Sequence, residues 1–130
     1  MNAKIKIKIM ILSSILTFLG CKNKEEKFLE THTVIFYNSP QYKEFEKTSK
    51  VKIKEANKIQ ANFAIKNDKE PEMYSFFVVD NQYVFTSYFH PKIPDASTRG
   101  IWVDATTGEA KYIEEQVWLK AYDAYNHPFR

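Results

Sequence analysis

The chain of 130 residues contains one cysteine, three glycines and three histidines. One cysteine cannot form an internal disulfide, and metal sites held by thiolates need several, so both features are excluded. Three glycines leave no glycine-rich loop that could hold a phosphate or approach a cofactor closely. The apolar run at residues 9–20 is about a dozen residues long, whereas a membrane-spanning helix needs about twenty.

That short run has the features of an export signal. It follows Lys4, Lys6 and Lys8, with no acidic residue before it, which is the charged start and short apolar segment of a signal peptide. Its end, Gly20-Cys21, resembles the lipobox of bacterial lipoproteins, with cleavage after the small residue and acylation of the cysteine. The leucine usual two places before the small residue is Phe18 here.

The resemblance implies that Cys21 begins the mature chain as a lipid attachment point. Two or more acyl chains would hold it stably to a membrane, and we expect the outer membrane, with the domain either surface-exposed or periplasmic. The alternative is an unmodified thiol near an ordinary signal cleavage site. Residues 21–30 are charged and predict a flexible tether of about 30 Å if extended.

The mature chain also lacks an excess of either charge. Removing residues 1–20 takes away three lysines and no acid, and leaves sixteen basic and sixteen acidic residues. Nucleic-acid binding needs a concentrated basic face, so we exclude it. Aromatic residues are abundant instead: nine of the ten Phe, all eight Tyr and both Trp lie after residue 20, which indicates a folded domain rather than a disordered chain.

Periodicity predicts one α+β domain over residues 31–130. It is a two-layer sandwich of helices on an antiparallel sheet of two hairpins, about four strands. An extended arm is expected at 31–37 and a short helix after Ser39-Pro40. The main helix is predicted within Thr48–Asn67, capped by Ser49. The predicted strands are 73–79 and 82–89 around Asp80-Asn81, then 100–104 and 109–113, with a loop at 90–99 and a short C-terminal helix at 114–126.

The helix around Ile53-Lys-Glu-Ala56 is followed by a strand pair, and then by Val103-Asp104, a turn and Gly108. With these residues the segment from about 50 to 113 resembles a PepSY-like domain; a generic cystatin-like or cone-shaped α+β fold is the alternative. The resemblance implies an exported, non-catalytic module that inhibits or chaperones a peptidase or senses the cell surface. It transfers no catalytic, cofactor or metal residue.

The chemistry-bearing residues give no catalytic pattern. None of the three histidines is four residues from another, as a helical metal site requires. The acidic pairs have structural explanations at turns and at a predicted helix start, and an enzyme is not expected. These residues are His32, His90 and His127, and the pairs Glu44/Glu46, Glu114/Glu115 and Asp80/Asp104.

Aromatic residues are the remaining functional candidates. Strand alternation sends some rings to the sheet face away from the main helix. There they form a surface for a protein or peptide partner, or the arm or the predicted C-terminal helix covers them. We expect a binding protein with no cofactor, and a membrane-tethered immunity protein is the alternative; a small hydrolase is a third class. The candidate partner surface is Trp102, Tyr112, Trp118 and Tyr122.

Overall fold

The computed structural model describes residues 23–37, 39–88 and 95–120. Residues 1–22, which include Gly20 and Cys21, lie outside the described residues, as do Asn38, 89–94 and 121–130. The elements are α1 (Lys24–Thr31), β1 (Val34–Phe36), α2 (Pro40–Thr48), α3 (Ile53–Lys66), β2 (Tyr74–Val79), β3 (Gln82–Thr86), β4 (Asp95–Ser97), β5 (Gly100–Asp104), β6 (Ala110–Ile113) and β7 (Trp118–Lys120).

The predicted α+β class is confirmed. Five strands form one antiparallel sheet in the order β1-β2-β3-β5-β6, and β4 pairs with β7 in a separate two-stranded sheet. The main sheet has one strand more than the predicted two hairpins because the arm also joins it. There, Val34 pairs with Val79 and Phe36 with Phe77.

Both predicted hairpins are present. Asp80 and Asn81 have φ values of 48° and 64°, so two residues that tolerate the left-handed region join β2 to β3. In the second hairpin, Oδ1 of Asp104 accepts hydrogen bonds from the amides of Thr106 and Thr107 at 2.7 and 2.9 Å. Gly108 supplies the positive φ that follows.

A β-bulge in β2 places two adjacent phenylalanines on one side of the sheet. Ser75 pairs with Phe85 and Val78 with Tyr83, so two residues on β2 oppose one on β3. Phe76 and Phe77 both belong to the core on the face away from α3. Strict alternation would have separated them.

The helices α2 and α3 cover one sheet face. The core between these helices and the sheet takes its residues from the two helices, the segment that joins them, inward positions of the strands and the turn after β5. This burial explains why α3 keeps small and apolar residues at three- to four-residue spacing. The buried members are Tyr42, Val51, Ala56, Ala64, Val78, Tyr83, Phe85, Ile101, Val103 and Ala105.

The opposite face is covered as well, by α1 and by the β4–β7 sheet. Phe28 of α1 and Leu119 of β7 pack in the same cluster as Trp102. The face is therefore covered, which was one of the two expected outcomes, but not by the expected arm or terminal helix. The arm joins the sheet as β1, and residues 118–120 of the predicted helix are strand β7. The buried members of this second core are Phe76, Phe77, Val79, Val84, Ala96, Trp102, Val117 and Leu119.

Three predictions about elements are wrong. The predicted C-terminal helix is absent from residues 114–117, and residues 118–120 are strand β7. The strand forms because Val117 and Leu119, two residues apart, both point into the second core. The rest of the predicted helix lies outside the described residues. Residues 95–97 of the predicted loop are strand β4. Most of the predicted tether is helix α1, which Asn23 caps by accepting the Glu26 amide at 2.8 Å.

The main helix is shorter than predicted at its start. It begins at Ile53 after Lys52, which gives no side-chain cap, and Ser49 instead ends α2, where its amide donates to the carbonyl of Phe45. The helix ends at Lys66, next to the predicted stop at Asn67. The start of α2 is as predicted, with Ser39 as cap and Pro40 at the first position.

Candidate functional site

A groove of about 660 Å³ lies where α2 meets the start of α3. Its size is that of a ligand site, which ranges from about 300 to 1,000 Å³. Four lysines and one glutamate line it, together with one tyrosine and one isoleucine. The lining residues are Tyr42, Lys43, Glu46, Lys47, Lys52, Ile53 and Lys54.

The helical period brings the lysines of α2 to one side of that helix. Lys43 and Lys47 are four residues apart, so their side chains are neighbours. Lys52 and Lys54 reach the groove from the other wall. Within residues 43–58 the chain has six lysines and three glutamates, so this part of a nearly neutral molecule carries a local positive charge that attracts anionic groups.

Two of the groove's lysines already have protein partners. The Lys52 ammonium donates to the backbone carbonyl of Glu46, which ties the two walls together. Lys47 lies 3.4 Å from a carboxylate oxygen of Glu44, and both side chains are mostly exposed. Such an exposed pair contributes about 0–1 kcal/mol and exchanges readily for another anion.

The apolar part of the groove rests on a cluster of aromatic rings. Tyr42 is 6% exposed, and its ring centroid is 4.6 Å from that of Tyr37 and 6.0 Å from that of Phe45. Burial, then the nearby Tyr83 and Glu46, raise the pKa of the Tyr42 phenol above its usual value. The phenol therefore stays protonated at neutral pH.

Backbone hydrogen bonds hold the connection between α2 and α3 against the sheet. The amides of Lys50 and Val51 both donate to the carbonyl of Ala105, at 3.1 and 2.8 Å. The carbonyl of Val51 accepts the Tyr83 hydroxyl at 2.7 Å. These contacts fix the wall from which Lys52 and Lys54 reach the groove, so the site is largely preformed.

This groove is not among the sites predicted from the sequence, because the neutral total charge of the mature chain gives no sign of a local basic surface. Two signals were present. Lys43 and Lys47 have helical spacing, and Lys50, Lys52 and Lys54 alternate where the chain passes between helices. Only the helix packing shows that four lysines share one groove.

The predicted partner surface is not one surface. Trp102 is 5% exposed, and its indole nitrogen donates to the Thr98 carbonyl at 2.8 Å, so the prediction is wrong for Trp102. It is buried because α1 and β7 cover its sheet face. Trp118 is 44% exposed on β7, Tyr112 is half-buried on β6, and Tyr122 lies outside the described residues.

Tyr112 lies at a cleft of about 370 Å³ at the end of the β2–β3 hairpin away from its turn. The Lys69 ammonium is 4.0 Å from its ring centroid, and Nε of Arg99 donates to its hydroxyl at 3.1 Å. The hydrogen bond to Tyr112 is the largest of the causes that raise the pKa of Arg99. Exposed Met73 and Tyr88 complete a second apolar surface there.

Two of the chemistry-bearing candidates, His32 and Asp80, are bonded to each other. Nδ1 of His32 lies 2.6 Å from Oδ2 of Asp80, and the Thr33 amide donates to Oδ1 of Asp80 at 2.8 Å. Burial alone would raise the pKa of Asp80, but these hydrogen bonds and the charges of His32 and Lys111 outweigh burial and lower it. The contacts fasten the end of α1 to the first hairpin.

The carboxylate of Asp104 likewise accepts hydrogen bonds from the amides of Thr107 and Thr106 in its own turn. These hydrogen bonds lower the pKa of Asp104. Glu114 and Glu115 do not begin a helix, contrary to the prediction, since residues 114–117 are irregular. His90 and His127 lie outside the described residues.

Among residues 23–37, 39–88 and 95–120, no three His, Cys, Asp or Glu side chains gather where they could hold a metal ion. No helix in the same ranges has both the length and the apolar character to cross a membrane.

Comparison with known proteins gives no relative from which a role could be transferred. No family model matches the chain, and neither the curated proteins nor the solved structures contain a significant match.

Proposed function

We propose that this protein is a lipid-anchored, non-catalytic protein of the bacterial cell envelope that binds a protein or peptide partner in the groove between α2 and α3. The observation that carries the proposal is the combination of an apolar base, Tyr42 and Ile53, with a rim of four lysines. Surfaces with an apolar centre and a polar rim are typical of protein interfaces. The charge of the rim selects an acidic segment of the partner.

The groove's chemistry supports binding rather than turnover. Its lysines are exposed and its tyrosine has a raised pKa. General acid–base catalysis near neutral pH instead needs groups whose pKa is moved toward the working pH. Lysine ammonium groups recognise carboxylates as point charges, which suits an acidic peptide.

Photocrosslinking in living cells tests the partner. A photoreactive amino acid at Lys43 should capture one envelope protein, whereas the same amino acid at Lys66, on the far end of α3, should not. The captured protein is identified by mass spectrometry, purified, and titrated against the mature chain. An identified peptidase or sensor supports the role implied by the PepSY-like resemblance, and a toxin supports the immunity role.

Charge reversal then tests the groove itself. The Lys43→Glu/Lys47→Glu variant should bind the purified partner at least about tenfold more weakly, since two favourable charge pairs become repulsive. The matched control is Lys27→Glu/Lys66→Glu, which makes the same change in net charge outside the groove. Equal affinities of the two variants would refute the groove as the binding site.

The anchor has its own test. We expect Cys21→Ala to give a chain that incorporates no labelled fatty acid and is retained as precursor or released in soluble form, because acyl chains would supply nearly all of the membrane affinity. Labelled fatty acid in the Cys21→Ala chain would contradict the assignment. Protease added to intact cells separates the surface-exposed orientation from the periplasmic one.

A further inference from the structure

We propose that Trp118 is a membrane contact, at which the folded domain lies against the lipid headgroups instead of projecting from them on a tether. The inference rests on the proposed acylation of Cys21. It starts from α1, which begins at Lys24 with Asn23 as its cap. Only Lys22 separates Cys21 from Asn23, and two residues span at most about 7 Å.

The start of α1 is fixed to the domain and not free to swing away. A carboxylate oxygen of Glu25 accepts the backbone amide of Lys120 at 2.7 Å. At the other end of the helix, Phe28 packs into the second core and stacks on His32, with ring centroids 4.2 Å apart. An acylated Cys21 would therefore hold the body of the domain, and not a loose segment, at the membrane.

Trp118 is next to that attachment point. Asn23, Lys24 and Glu25 line one groove together with Gln116, Val117 and Trp118. Within β7, Leu119 is buried while Trp118 and Lys120 are exposed on the opposite side. The indole therefore projects from the outer side of the layer that covers the second core.

The chemistry of this surface suits the headgroup region of a bilayer. Tryptophan is enriched there because its apolar ring and its N–H group face different surroundings. Lys24 and Lys120 beside it carry charges that attract anionic lipids. The groove between α2 and α3 lies across the main sheet from β7, so this orientation leaves the proposed partner site free.

Fluorescence of the acylated mature chain in vesicles tests the inference. The vesicles contain phosphatidylethanolamine and phosphatidylglycerol, with or without bromine on the acyl chains near the headgroup. The chain has two tryptophans, and Trp102 is a buried internal reference. We expect bromine to quench the wild-type emission, and vesicle binding to shift that emission to shorter wavelength and to reduce its quenching by iodide. The Trp118→Phe variant, which emits from Trp102 alone, should show none of these changes.

Three results would overturn the inference, and they have different meanings. In the first, a chain whose acylation is verified by mass gives the same emission with and without bromine, and iodide still quenches that emission. Trp118 then faces water, and the proposed anchor still stands. A chain that carries no acyl group removes the proposed anchor and the inference with it. Equal quenching of wild type and Trp118→Phe would also refute the contact, because it would come from Trp102.

Discussion

Gly100 offers a sharp test of the main sheet. It begins β5 with φ of 153°, in a region that residues with side chains rarely adopt. A Cβ atom built at Gly100 would lie 1.9 Å from the carbonyl oxygen of Phe85, and the atoms nearest to it are backbone atoms of β3. The side chain of an alanine could not be accommodated by a rotamer change, since the neighbour is the paired strand.

The magnitude follows from two costs. Forcing a methyl group into a packed site costs about 1–3 kcal/mol, and the unfavourable backbone conformation costs about as much again. We therefore expect Gly100→Ala to lower the free energy of unfolding by roughly 2–6 kcal/mol, a large part of the 5–15 kcal/mol typical of a domain. Gly108→Ala is the matched control. Its Cβ would meet two side-chain atoms and no backbone atom, Cδ1 of Ile59 at 3.3 Å and Cγ2 of Val51 at 3.8 Å, with φ at 77°. This variant should therefore lose about 1–2 kcal/mol.

Urea denaturation of the mature chain, followed by circular dichroism, measures both values. We expect the Gly100→Ala variant to be much less stable than the Gly108→Ala variant. If Gly100→Ala is as stable as the control, β3 and β5 are not paired as described, and the reasoning fails at the strand register.

Three further predictions concern buried and turn hydrogen bonds, and each is read from a denaturation midpoint. Tyr83→Phe removes the hydroxyl that reaches the Val51 carbonyl and should cost about 1–3 kcal/mol because the carbonyl is left buried without that donor; an unchanged midpoint would contradict the contact. Asp104→Ala frees two turn amides and should cost about 1 kcal/mol, with Asp104→Asn in between. The pKa of Asp80 is lower in the folded protein than in the unfolded chain, where it is about 3.9. The pairing of Asp80 with His32 therefore stabilises the fold at pH values above about 3.9. This stabilisation is lost as the pH falls through the lower pKa of the folded protein. Wild type should therefore lose more stability than Asp80→Asn on acidification, and equal losses would exclude the pairing.

Local chemistry made much of the fold predictable. Asp80-Asn81 at a turn, Ser39-Pro40 at a helix start and the spacing of apolar residues along α3 each act through near neighbours in sequence, and the structure confirms all three. The exact start of α3 was not predictable in this way. Its position depends on the amides of Lys50 and Val51 reaching the distant Ala105.

The errors share a physical cause, which is the second core. A segment such as 117–119 has too few residues to show a period, and its strand conformation follows from pairing with β4, with Ala96 opposite Leu119. Phe28 similarly has few apolar neighbours in sequence, and α1 is ordered by its contact with β7. Both segments take their conformation from partners that are distant along the chain, so neither could be predicted from local pattern.

The net charge of the mature chain is a poor guide to its surface, because a total of zero does not exclude a local basic surface. The lysines of the groove do not indicate nucleic-acid binding. Binding along a phosphate backbone needs a continuous track of cations that displaces many counterions, whereas Glu46 lies within this groove and Glu44 beside it pairs with Lys47. A compact basic rim around an apolar base instead favours a short acidic segment with one apolar side chain. The distribution of charge over the folded surface, and not its sum, therefore supports the choice of partner.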